Sequence, residues 1–210
     1  MRNNSTSQIR KRSLQQAAKL GFMMNEALPW LDDDLRPRPF EEVTGRLLSM
    51  LPVAASAHGF DRIKAQAWIE QEKLGDYLTR GERRFIEHGE GAPNLFIVQI
   101  EGMWALAWAL GLVSELDFSD YSDNRFVSML PNLKIAEGSA VLRSRLRLRS
   151  VEEIMAACDL AYCLHWAIME AQRFHAKPPG KVEPYVITER RRALEWVLSD
   201  DAWDEVLLDT

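Results

Sequence analysis

Glu101 stands in the most apolar stretch of this 210-residue chain, a run from Leu95 to Leu112 in which Gln99 is the only other strongly polar group. An ionised carboxylate beside Ile100 and Trp104 needs a partner or keeps its proton, because burying an uncompensated charge is expensive. Asp159, His165 and Glu189 supply two more carboxylates and an imidazole, groups able to do acid–base work or to hold a divalent ion. These four are the catalytic candidates. On a helix, Asp159, Tyr162, Cys163 and Trp166 share one stripe, while His165 lies about 120° away from it. The competing expectation is structural: Glu101 or Asp159 forms a buried ion pair with an arginine from another helix, and Arg190 is the best counter-charge available.

A second set of residues could bind rather than react. Arg143, Arg145, Arg147 and Arg149 alternate with Ser144, Leu146 and Leu148, a period of two that predicts an extended segment with its guanidiniums on one side. Such a row could grip phosphate or an acidic protein surface, or be paired internally with the chain's own acids. No aromatic residue interleaves with it, which argues against single-stranded nucleic acid. Near the other end, Arg190, Trp203 and Asp204 belong to a segment from Glu189 to Thr210 whose patterning marks a packed element. Acids gather there, at Glu195, Asp200, Asp201, Asp204, Glu205 and Asp209, and again at Asp32 to Asp34.

The formal net charge of -5 and the pI near 5.5 disfavour general nucleic-acid binding and suit a basic protein partner such as a toxin. No GxSxG elbow, phosphate loop, HExxH, paired CxxC or EF-hand loop occurs, so no cofactor or metal is expected. Cys158 and Cys163 point about 140° apart on one helix and are expected to be free thiols in a reducing compartment. Met1 to Ser13 carries Arg2, Arg10, Lys11 and Arg12 without a following apolar segment, so a cytoplasmic location is expected, with no membrane span.

Helix signals recur along the chain and strand signals are sparse. The reading is an all-α protein: one compact multi-helix bundle over 1–210, built around two long central helices, about 95–112 and 150–175, with at most minor short strands. Residues 1–8 are expected to form a flexible tail, and Ile9 to Leu20 a short helix that Gly21 stops. Phe40 to Ala57 carries a helical pattern that Pro52 should kink or divide. Asp61 is placed to cap a helix through Glu70, and Thr79 with Glu82 and Ser150 with Glu153 have capping-box spacing. A short extended piece at Val182 to Val186 should precede a closing helix from near Thr188.

Several fragments in order carry a resemblance across most of the chain. They are Trp104-Ala105-Leu106-Ala107-Trp108-Ala109-Leu110-Gly111, Leu148 to Ile154, Asp159 to Ala167, and the terminal Glu189-Arg190, Ala193-Leu194, Trp196, Trp203-Asp204 and Asp209-Thr210. Together with Arg12-Ser13, Leu28-Pro29 and Val43 to Leu51, they resemble the bacterial domain-of-unknown-function family 4272. The resemblance implies a helical fold and brings no known activity with it. Glu101, Asp159, His165, Glu189, Arg190 and Asp204 match the family pattern, whereas Cys163, Arg191 and Glu195 stand where arginine, histidine and asparagine are common. Those replacements favour a scaffold or binding role over a retained catalytic centre. The functional expectation is a protein-binding module, such as a toxin-neutralising immunity protein or an adaptor. The alternative is a hydrolase or metal-assisted enzyme using a buried carboxylate and histidine cluster. Oligomeric state is left open by the pattern.

Overall fold

Two pairs of residues three apart fix where two helices begin. The Thr79 hydroxyl accepts from the Glu82 amide while the Glu82 carboxylate accepts from the Thr79 amide, and Ser150 and Glu153 repeat the exchange. The computed structural model describes residues 4–210. In chain order its helices are α1 (Asn4–Lys19), α2 (Phe40–Ala57), α3 (Arg62–Gln71), α4 (Arg80–His88), α5 (Pro93–Ile97), α6 (Ile100–Ala109), α7 (Ala140–Arg145), α8 (Val151–Arg173) and α9 (Pro184–Val197). No strand occurs among the described residues, and the fold is all-α as expected.

The helices stack in series. α1 lies on α8, α8 on α9, α9 on α6, and α6 on α2, which also receives α3, α4 and α5. The layers close over side chains such as Leu47, Leu106, Ile154, Leu164 and Leu194, all fully buried. α8 confirms one expected central helix, and by length and composition it could cross a membrane, but most of its apolar window is buried inside the fold.

The other expected central helix is not one helix. Residues 95–112 divide at Val98 and Gln99, where the Glu101 amide reaches back only three residues to the Val98 carbonyl. An apolar run without a sharp period leaves its axis to packing: α5 turns toward α2, while α6 packs on both α9 and α2. Gly111, with φ of 69°, then ends the run. The place at the centre belongs to α9, held between α6 and α8.

Other boundaries also moved. α1 begins at Asn4 rather than Ile9, so residues 4–8, expected in a tail, are helical, and the first three lie outside the described residues. Pro52 does not divide α2, because the helix buries residues on both sides of it, from Val43 to Ser56. α9 starts at Pro184, where the ring's missing N–H costs nothing in a first turn, so no extended piece reaches Val186. The arginine row breaks as well: α7 takes Arg143 and Arg145, and the chain is extended only beyond, where the Arg147 and Arg149 amides bond the Leu110 and Ala109 carbonyls.

Candidate functional site

Each of the four catalytic candidates has an arginine of its own. Arg190 on α9 meets Glu101 on α6 through Nε at 2.9 Å and Nη2 at 2.5 Å, with both side chains almost wholly buried. Asp159 on α8 is paired with Arg10 on α1, through Nε at 3.1 Å and Nη2 at 2.7 Å. Glu189 faces Arg192 at 3.7 Å, and burial pushes its carboxyl above the usual range despite that neighbour. His165 Nδ1 lies 2.7 Å from Arg191 Nη1. Burial, with Arg191 and Arg192 adding to it, lowers the imidazole to about 4, so the ring is neutral near pH 7 and Nδ1 accepts from the guanidinium.

The four groups are thus engaged by four different arginines rather than by one another. Among the described residues, no three His, Cys, Asp or Glu side chains are grouped as a metal ion would require. Burial lifts the Cys158 thiol well above its ordinary value and the Cys163 thiol to about 12, and both cysteines are free. A third buried ion pair, unforeseen from the sequence, joins α2 to α4: Arg46 Nη1 and Nη2 each reach one Glu82 oxygen at 2.7 Å.

The pair between Glu101 and Arg190 does more than neutralise charge. Arg190 Nη1 donates to the Asp117 carbonyl and Nη2 to the Asp120 carbonyl at 3.0 Å. On the other side, Glu101 Oε1 accepts from the Ser122 amide at 3.0 Å and from its hydroxyl at 3.1 Å. The loop after α6 is thus wrapped around a buried ion pair by its backbone, which leaves its acidic side chains outward. Asp117, Asp120 and Asp123 each turn one carboxylate oxygen onto a nearby amide, at 2.8, 2.8 and 2.7 Å, holding the loop's turns.

Above this loop lies a groove of about 850 Å³ lined by Trp104, Glu115, Asp117, Asp120, Tyr121 and Asp123, among others. Arg125 also lines it, but is paired with Asp123 at 3.0 Å. Trp104 is braced edge-on by Phe126 with ring centres 5.2 Å apart, and exposed Tyr121 stands 6.4 Å from Tyr185. An aromatic wall with an excess of carboxylates favours a cationic group.

The binding candidates fare unevenly. Trp203 is buried, stacked against Arg46 at 4.3 Å and set edge-on to Trp196 at 5.5 Å, so it is a core residue rather than an anchor for a partner. Asp204 is exposed on a second groove of about 560 Å³, beside Arg38 and Arg80. Arg190 is wholly buried and acts through the loop it holds. Arg143 reaches Glu41 at 3.0 Å, Arg147 bonds the Ser144 carbonyl at 3.0 Å, and Arg149 bonds Glu153 and the Trp108 carbonyl. Arg145 is exposed. Three of the four arginines are therefore spent on the chain itself, and no row of guanidiniums forms.

Arg10, Arg46 and the acids of the loop were not singled out from the sequence. The loop offered one signal: Asp117, Asp120 and Asp123 recur every three residues with Ser119 and Ser122 between them, a pattern of side chains bonding nearby amides. Together these features define a helical-bundle protein in which buried arginines, set on different helices, fasten the layers and one acidic loop. The chain belongs to the family described as Domain of unknown function (DUF4272), whose family model matches residues 9–206. No curated protein and no solved structure matches it.

Proposed function

We propose that the protein is a cytoplasmic binding module for a basic protein, in the manner of a toxin-neutralising immunity protein or an adaptor, and that the groove over the 113–125 loop receives the partner. The observation that carries this reading is the groove itself: four acids against one already paired arginine, beside Trp104 and an exposed Tyr121. Its backbone is fixed from below by Glu101 and Arg190, so the acids are presented without a large ordering cost on binding. An acidic face on a chain of net charge -5 also speeds encounter with a basic partner.

The test is capture from the native cell with wild-type protein and with the double variant Asp120→Lys/Asp123→Lys, whose fold is checked by circular dichroism. The expected result is one stoichiometric basic partner, released by salt and lost with the double variant, together with protection of cells against that partner if it is a toxin. No stoichiometric partner, or one retained by the variant, would overturn the reading.

A further inference from the structure

Three tryptophans of the fold are treated alike. Trp108, Trp196 and Trp203 each carry an arginine over the ring, with Arg149 at 4.7 Å, Arg38 at 4.4 Å and Arg46 at 4.3 Å from the ring centre. Each guanidinium is also bonded in its own plane to backbone carbonyls and to one carboxylate. Arg149 takes the Trp108, Val113 and Ser114 carbonyls with Glu153. Arg38 takes the Trp196 and Asp201 carbonyls with Glu42, and Arg46 the Tyr77 carbonyl with Glu82. An indole face, a carbonyl and a carboxylate are thus the three parts of a guanidinium seat that this chain builds repeatedly.

Trp104 has the surroundings of such a seat without the arginine. It stands one turn before Trp108 on α6, is half-buried, lines the acidic groove and is supported edge-on by Phe126, and no cation lies over its ring among the described residues. Arg125, the one base in the groove's lining, is spent on Asp123 through Nε and Nη2. Acceptors are left over around it: Asp117 and Asp120 each use a single carboxylate oxygen to hold the loop's turns, and Glu115 makes no hydrogen bond among the described residues. We infer that the groove receives an arginine of the partner rather than a lysine, its guanidinium laid on the Trp104 ring and bonded to the free carboxylate oxygens of the loop. The planar guanidinium stacks on a ring and donates from its edge at the same time, and it is weakly hydrated, whereas an ammonium is a compact, strongly hydrated charge that loses more on leaving water. At about 850 Å³ the groove holds such a side chain together with the backbone that bears it. This inference rests on the groove being the partner's seat and adds which side chain enters it.

The probes are two capped glycine–serine peptides, identical except for a central arginine or lysine, titrated at matched ionic strength into protein isotope-labelled at its tryptophan indoles and followed by NMR. The arginine peptide is expected to shift the Trp104 indole resonance, assigned with Trp104→Leu, while those of buried Trp196 and Trp203 stay in place, and to bind roughly tenfold more tightly than the lysine peptide. Because Trp104 is partly buried and its replacement can disturb the fold, Asp120→Asn supplies a second check. That change keeps an oxygen for the Tyr121 amide and removes only the charge, so the arginine peptide should weaken several-fold while the loop stays formed. Equal binding of the two peptides, or arginine binding that leaves the Trp104 indole unmoved, would overturn the inference and leave the groove as a general seat for basic chains. If neither peptide moves any resonance of the groove, the inference and the seat fall together.

Discussion

Glu101 and Arg190 are 89 residues apart in sequence and in direct contact in the interior, where the pair holds the backbone of the loop that lines the acidic groove. This contact joins the two central layers, α6 and α9, and sets the shape of the surface above them. Stability and any binding through the groove are therefore coupled at one ion pair.

Replacing Arg190 by Ala leaves a buried carboxylate without its counter-charge and should cost about 3–5 kcal/mol, read by urea unfolding. The 117–122 amides should lose protection in hydrogen exchange at the same time. A cost below about 1 kcal/mol, as for exposed pairs, would show that water replaces the guanidinium there.

His165 makes stability depend on pH in a defined window. Its folded value of about 4 lies below its ordinary 6.5, so between the two the unfolded chain binds the extra proton. The stabilisation is fully present above 6.5 and falls as pH drops toward 4, by about 3 kcal/mol at most. His165→Gln should flatten that slope in unfolding curves measured from pH 7 to pH 4.5; an unchanged slope would mean that the imidazole is charged in the folded protein.

Glu189 works in the opposite sense. Its carboxyl is raised by burial, so the folded protein holds the proton longer than the unfolded chain and loses stability as pH rises past 4.5. Glu189→Gln should be neutral or stabilising near pH 7, and calorimetry showing a lower Tm would contradict it.

Gly45 lies in α2 with the Tyr77 ring where a side chain would be: an added Cβ would fall 2.4 Å from a ring carbon. The Tyr77 carbonyl accepts from Arg46 and Ser49, which fixes the backbone that carries the ring, so the ring has to turn away about its own side-chain bonds. Gly45→Ala should therefore destabilise by about 1–3 kcal/mol, against the gain of roughly 1 kcal/mol expected at an exposed helical site. Equilibrium unfolding separates the two signs.

What could be read from the sequence was what depends on neighbours. Asp61, Thr79 with Glu82, and Ser150 with Glu153 act within one helical turn, and all three caps form as their spacing predicts. Arg190 was also legible as a partner for Glu101, because a buried acid demands a cation and the closing helix offered one. Its rival Asp159 took Arg10 from 149 residues away, a choice that only the packing of α1 on α8 makes. The arginines from 143 to 149 misled because a helix ends inside the run, so alternation in the sequence does not become alternation in space. The 113–125 acids read as an ordinary surface loop, since nothing local reveals that their backbone is bonded to an ion pair beneath.

The position of α9 between α6 and α8 has a kinetic consequence. α6 and α8 can pack on α2 and α1 beforehand, but the faces they turn to each other's side stay open until α9, which starts at Pro184 whereas α6 ends at Ala109, has been made and has inserted between them. Helical proteins usually fold fast because their contacts are local, yet here the ion pairs closing the interior span 89 and 149 residues. Despite its purely helical content, this chain should collapse and assemble on the timescale of proteins with long-range pairings, and the apolar faces of α6 and α8 are the surfaces exposed to aggregation while they wait.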